Sequence, residues 1–229
     1  MPEWTNWSGK LSAEPQRITQ VGTVDAIRSE LLAAREGGWS VRTAGTAHSH
    51  YPLLPTSGVI LDTRPLSGLV SVDRDAMTAT FRAGTKIHAC GQPLLEHGLG
   101  LLNQGDIDQQ SVGGAIATGT HGTGVDLGSF SSAVTELVVL LVDGSVVTCS
   151  SSVEPDLFEA SRLSLGAVGV VLQVTLRVRE AYRLEEQRWL EPFESVMERI
   201  EELTSATRHF EYFWYPGQDR AICKSINLT

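Results

Sequence analysis

Ser111-Val-Gly-Gly-Ala-Ile-Ala-Thr-Gly-Thr-His-Gly-Thr-Gly124 is the stretch from which the rest of the chain is read. Five of its fourteen residues are glycine and three are threonine, and its only large polar side chain is His121. Glycine lets a backbone approach a ligand without a Cβ in the way. Successive free N–H groups form concave nests for phosphate-like anions, and threonine hydroxyls add short hydrogen bonds. Val112, Ala115, Ile116 and Ala117 separate the glycines, which is unlike a flexible linker. The stretch reads as a loop laid against a flat or anionic ligand. It has no lysine and is no P-loop; Gly119-x-x-Gly122-x-Gly124 reverses the dinucleotide fingerprint, and no strong helix is expected after it.

Working outward, the 229 residues suffice for one large domain or two small ones. A hydrophobic fraction of 41% is compatible with a globular core. The net charge of −9 argues against nucleic acid and anionic membranes as main partners. No apolar run reaches membrane-spanning length, and Met1-Pro2-Glu3-Trp4 is unlike a signal peptide. Cys90, Cys149 and Cys223 are widely spaced and odd in number, which fits a reducing compartment and no metal-ligand pattern. The cytoplasm is the expected location, and no metal is expected.

Trp4 to Pro15 reads as an irregular start. Thr23 caps a helix whose apolar positions are Ile27, Leu31, Leu32 and Ala34, ended by Gly37-Gly38. Strands are expected at 40–44 and 59–62, separated by a second small-residue loop, Gly45-Thr-Ala-His-Ser-His50. A hairpin around Arg74-Asp75 joins 69–73 to 77–82. A helix over 86–98 would bury Ile87, Cys90, Leu94 and Leu95. Strands at 134–141 and 145–149 turn at Asp143-Gly144, a short helix covers 156–164, and 169–178 alternates as a central strand. After Arg179 come a strand at 185–190, an amphipathic helix at 192–203, and strands at 210–215 and 221–226. Strands and helices mingle without regular alternation, which predicts an α+β fold.

Four segments carry a family likeness: Val41-Arg-Thr-Ala-Gly-Thr-Ala-His-Ser49, Asn103-Gln-Gly-Asp106, Ser111 to Gly124, and Ser164-Leu-Gly-Ala-Val-Gly-Val-Val171. Together they resemble the PCMH-type FAD-binding domain of the vanillyl-alcohol oxidase superfamily, nearest the sugar-1,4-lactone oxidase group that includes gulonolactone and D-arabinono-1,4-lactone oxidases. The resemblance implies a two-subdomain FAD-binding domain over 1–180, with subdomains of about 1–64 and 65–180. Residues 181–229 would begin an α+β substrate domain, cut short at Thr229. The apolar strands there would lack partners and expose Phe210, Phe213, Trp214 and Tyr215.

In that resemblance Thr43, Ala44, Gly45, Thr46, Ala47, His48 and Ser49 wrap the FAD pyrophosphate, and His48 matches the residue that many members bond to the flavin 8α-methyl. Ser111, Gly114, Thr118, Gly119, Thr120 and His121 match a second flavin-contacting segment, and Val170 matches a backbone contact near the adenine. Gly105 falls beside the flavin C4a edge, where a bare backbone leaves room for oxygen. Asp106 is a candidate substrate contact or a turn residue. The remaining histidines, His50, His88, His97 and His209, sit in no motif and read as solvated or structural. Relatives often carry Gly-x-Gly-His-Ser where this chain has Gly45-Thr-Ala-His-Ser49, so Ala47 stands where glycine would be free in φ.

The implied reaction removes two hydrogens from a CH–OH group of a sugar 1,4-lactone, with hydride passing to flavin N5 and reoxidation by oxygen or another acceptor. The catalytic base is not assigned. Alternatives on the same fold are an alditol (polyol) oxidase or the reductase of peptidoglycan precursor synthesis. A further alternative is a fragment that holds FAD without turnover.

Overall fold

The computed structural model describes residues 2–229. A small antiparallel hairpin, β1 (Trp4–Thr5) and β2 (Ser12–Ala13), comes first. A parallel sheet follows, from β3 (Arg17–Gln20), α1 (Val24–Glu36), β4 (Val41–Ala44) and β5 (Val59–Asp62), with strand order β3-β5-β4. All four residues of β5 are buried, as the middle strand of a parallel sheet covered on both faces requires. Val59 and Leu61 pack with Ile27, Leu31 and Ala34 of α1. Ile60 points the other way and packs with Trp4, Leu11 and Ala13 of the N-terminal hairpin. The hairpin is therefore a structural layer.

α1 forms as its sequence dictates. The Thr23 hydroxyl accepts from the Ala26 N–H at 3.2 Å, Asp25 sits in the first turn and Arg35 in the last, each complementing the helix dipole. Leu32, expected on the buried face, is exposed; it lies one residue round from Leu31, beyond the stripe that meets the sheet.

The next region is one antiparallel sheet. Its elements are β6 (Leu69–Asp73), β7 (Thr78–Arg82), α2 (His88–Glu96), β8 (Leu99–Leu101), α3 (Val112–Ala117), α4 (Phe130–Ala133), β9 (Val134–Leu140), β10 (Val146–Ser150), α5 (Pro155–Arg162) and β11 (Val170–Glu180). The order is β10-β9-β11-β7-β6, with β8 pairing the far end of β11. β11 is central, as its alternation predicts. The helices bury their apolar residues on the sheet around Phe81, Leu94, Ile116 and Leu137. α2 starts at His88, two residues later than expected, with Ile87 at its cap; Leu95 is 59% exposed and leaves the apolar face.

The last region is a third sheet, ordered β12-β14-β13 from β12 (Leu184–Pro192), β13 (His209–Phe213) and β14 (Arg220–Leu228). The helix expected over 192–203 is two, α6 (Phe193–Glu198) and α7 (Ile200–Ala206), broken at Arg199. Phe210, expected on an exposed apolar surface, is 8% exposed and packs with Val196, Leu203 and Cys223 beneath these helices. Phe213, Trp214 and Tyr215 are exposed as expected, and Trp214 stacks on Phe193. All three cysteines are buried free thiols, and burial pushes the Cys90 thiol up to about 12. No helix among the described residues is long and apolar enough to cross a membrane.

Candidate functional site

The two small-residue segments meet. β4 ends at Ala44 and the chain turns through Gly45 directly against Ser111. A Cβ on Gly45 would overlap the Ser111 hydroxyl and stand 2.9 Å from its Cβ, so only glycine fits here. On the other side, residues 112–117, expected as loop, are helical: Ser111 accepts from the Gly114 N–H at 3.3 Å, and Val112, Ala115 and Ile116 are buried. Each glycine in a helix costs about 1 kcal/mol relative to alanine. The Ser111 cap and the three buried side chains offset that cost. A Cβ on Gly113 would stand 2.9 Å from that of Ala83, which fixes how closely α3 lies on the chain after β7.

Around this meeting point lies a cleft. Of the candidate residues, it is lined by Thr43, Gly45, Thr46, Ala47, His48, Ser49, Ser111, Gly114, Thr118 and Val170. Sequence reasoning did not single out Arg42, Leu53, Leu54, Thr63, Ala83 or Gln110, which also line it, together with residues of the α3 and 164–171 segments. Arg42 is the one permanently charged side chain of the wall, and no carboxylate faces the cleft. The cleft therefore favours an anion.

The loop backbone is asymmetric. The carbonyls of Ala47, His48 and Ser49 accept from the Trp7 N–H (3.3 Å), the Trp7 indole (3.1 Å) and the Asn6 amide (3.1 Å). Among the described residues, no protein acceptor pairs with the N–H groups of Thr46, Ala47, His48 or Ser49. The N-terminal hairpin holds the acceptors and leaves the donors free, the polarity a diphosphate needs. Ala47 adopts φ 56°, a left-handed conformation costly for a side chain with a Cβ. The His48 imidazole is held below its ordinary pKa, first by partial burial and then by the nearby charges of Lys86 and His50. Its ring is therefore neutral and nucleophilic near neutral pH.

The other candidates lie outside this lining. Ala44 is buried under the loop, its carbonyl accepting from the Thr63 N–H and hydroxyl. Gly119 follows α3 at φ 68°, and the Thr120 hydroxyl accepts from Gln110 at 3.2 Å. His121 hydrogen-bonds the Gly122 carbonyl through Nδ1 at 2.9 Å. Gly105 packs against the His121 carbonyl. Asp106 accepts twice from Lys224 of β14, at 3.1 and 3.2 Å. Lys224 also pairs with Glu211, and its side chain is only 7% exposed. Nearby, buried His209 bonds the Thr123 carbonyl at 3.0 Å. The third sheet is thus tied to the Gly105–Thr123 edge by charge and hydrogen bonds. Lys224 is 118 residues from Asp106, so no local signal reveals it.

Comparison with known proteins fits this geometry. A family model described as an FAD binding domain matches residues 15–150, and one described as D-arabinono-1,4-lactone oxidase matches residues 174–229. The chain is 34% identical over 228 residues to the L-gulono-1,4-lactone dehydrogenase of Mycobacterium tuberculosis, covering 100% of this chain and 53% of that protein. It is 31% identical over 220 residues to a D-arabinono-1,4-lactone oxidase of Yarrowia lipolytica (94% and 42%) and 29% identical over 217 to the L-gulonolactone oxidase of Mus musculus (95% and 49%). The chain thus spans about half the length of the curated relatives it matches. Among solved structures it superposes on a cholesterol oxidase from Brevibacterium sterolicum with a TM-score of 0.87 at 21% identity, covering 99% of this chain and 47% of that one. An alkyldihydroxyacetonephosphate synthase gives 0.80 at 14% identity, covering 92% and 46%. These likenesses show the PCMH-type α+β fold. Since the first family model alone spans more than half of the chain, the protein belongs to the FAD-binding domain family of flavoenzymes.

Proposed function

We propose that this chain is the FAD-holding part of a flavin-linked oxidoreductase that oxidises a CH–OH group of a sugar 1,4-lactone. The observation that carries this reading is the row of unpartnered N–H groups from Thr46 to Ser49, facing no carboxylate and lying beside Arg42. In this reading Thr43, Gly45, Thr46, Ala47 and Ser49 hold the diphosphate, with Ala44 supporting the loop from beneath. Ser111, Gly114 and Thr118 form the facing wall, and Gly119 and Thr120 continue the segment beyond it. Val170 lies along the adenine, and Gly105, Asp106 and His121 border the reacting end. Residues 1–180 hold the cofactor, and 181–229 begin the substrate-facing region. The names of the relatives support a lactone as substrate and leave oxygen or another acceptor open. The reduced cysteines support the cytoplasm.

When bound, the flavin supplies the hydride acceptor. The chain's own groups bind and orient it. His48 offers a neutral ring nitrogen for attachment to the flavin 8α-methyl.

Titration of the purified chain with FAD and FMN, followed by flavin absorbance, tests the reading. FAD binds more tightly than FMN, because FMN lacks the second phosphate and the adenine. Equal affinities, or none, overturn it.

A further inference from the structure

The segment Asn6-Trp7-Ser8-Gly9 lies in a stretch without helical or strand periodicity. The structure places it against the candidate site. Asn6 is buried, its Oδ1 accepts from the Leu11 N–H at 3.1 Å and the Ser8 hydroxyl at 3.3 Å, and its Nδ2 donates to Ser49. The turn carrying Trp7 is thereby fixed. Trp4 and Leu11 anchor the same hairpin on Ile60 of β5.

Trp7 reaches the His48 loop three times. Its N–H donates to the Ala47 carbonyl and its indole N–H to the His48 carbonyl, while its ring stacks on the His48 imidazole with centroids 4.9 Å apart and planes 16° apart. His50 meets the indole edge-on at 5.6 Å. Trp7 is nevertheless 56% exposed, so burial alone does not account for a tryptophan there. Functional histidine rings are usually oriented by a hydrogen bond at the second ring nitrogen. Among the described residues, neither ring nitrogen of His48 has such a partner. The stack does that work and leaves both nitrogens free.

We propose that Trp7 is the positioning residue for His48: the indole fixes the plane of the imidazole at the cleft while its N–H holds the carbonyl of the same residue. The inference rests on the reading of His48 as the flavin-attaching residue. It goes beyond that reading in assigning orientation to the N-terminal hairpin.

Three variants test it: Trp7→Ala, Trp7→Leu and Trp7→Phe, each checked for folding by circular dichroism. Two measurements are made. One is the share of flavin that stays with acid-precipitated protein after incubation with FAD. The other is the rate at which diethyl pyrocarbonate modifies His48 in flavin-free protein, read by peptide mass spectrometry. Trp7→Ala and Trp7→Leu retain FAD binding, lower the acid-stable share about tenfold, and raise His48 modification several-fold. Trp7→Phe keeps a stacking ring and recovers most of both. Unchanged His48 modification in folded Trp7→Leu, or no difference between Leu and Phe, overturns the inference. If wild-type flavin is freely released by acid, the attachment reading fails, and the His48 modification rates alone decide the role of Trp7. Should Trp7→Ala not fold, the Leu and Phe pair carries the comparison.

Discussion

The loop after β4 and the segment opening α3 touch at one point, Gly45 on Ser111, yet they are held by opposite means. The Ser111 segment is self-sufficient. Its hydroxyl caps its own helix, its apolar residues enter the core of its own sheet, and its glycines follow a regular path. The Gly45 loop is held from outside. Its carbonyls are taken by Asn6 and Trp7, its underside rests on Ile60, and Ala47 carries a left-handed backbone. A helix satisfies its N–H groups internally, whereas an externally held loop can leave a row of donors free. Binding capacity therefore falls to the loop, and rigidity to the helix it leans on.

The largest effect is expected where the two meet. Gly45→Ala drives a methyl into the Ser111 hydroxyl and to 2.9 Å from the Ser111 Cβ, which a change of rotamer cannot move. Overpacking of this kind costs about 1–3 kcal/mol, and the cleft should lose FAD affinity with it. Urea unfolding and flavin titration read both quantities. If the segments were independent, neither would change; if the loss comes from their contact, adding Ser111→Ala should restore part of it.

Acid should affect the tie between the third sheet and this edge next. Burial holds His209 below its ordinary pKa, against the opposing effect of the Thr123 carbonyl, and His48 is likewise lowered. A histidine whose folded pKa is depressed binds its proton more readily unfolded. Stability is therefore full above about pH 6.5 and falls as pH drops below it, by at most about 1.4 kcal/mol per pH unit for each group. His209→Gln should flatten that fall between pH 6.5 and 5.5 in thermal melts. A wild-type melting temperature constant over this window would break the assignment.

Ser111→Ala comes third. Loss of the cap should cost about 1 kcal/mol, less than Gly45→Ala, because it removes one hydrogen bond and forces no side chain or backbone to move. A denaturation midpoint equal to wild type would mean that α3 is held by its buried residues alone.

The same contrast explains what was legible in the sequence. α1 announces itself because Thr23 and the Ile27, Leu31, Ala34 spacing agree. Both small-residue segments stand out by composition, and most of the cleft follows from them. α3 reads as loop because Gly113 and Gly114 lower helix propensity, and only the packing of Val112, Ala115 and Ile116 on a distant sheet reverses this. The hairpin is invisible, since β1 and β2 have two residues each and no periodicity can show in two. Trp7 and Lys224 are missed for a related reason. Their partners, His48 and Asp106, lie 41 and 118 residues away, and a single sequence carries no signal for such pairs.

The smallest effect is expected at Ala47, and its smallness is informative. At φ 56° an alanine is strained by about 1 kcal/mol relative to glycine. Ala47→Gly releases that strain, but glycine adds about 0.4–1 kcal/mol of unfolded-state entropy. It also removes a methyl that packs beside Trp4, Ala44 and Ile60. These contributions nearly cancel, so stability should move by less than about 0.5 kcal/mol. Loop mobility should not cancel in the same way. With Cβ gone, the backbone between Gly45 and Ser49 can sample more conformations, and only Asn6 and Trp7 restrain it from one side. Amide hydrogen exchange should therefore quicken at Thr46 to Ser49 while staying unchanged in α3. If exchange quickens equally in both segments, the loop and the helix are one cooperative unit, and the division between an externally held loop and a self-capped helix is wrong.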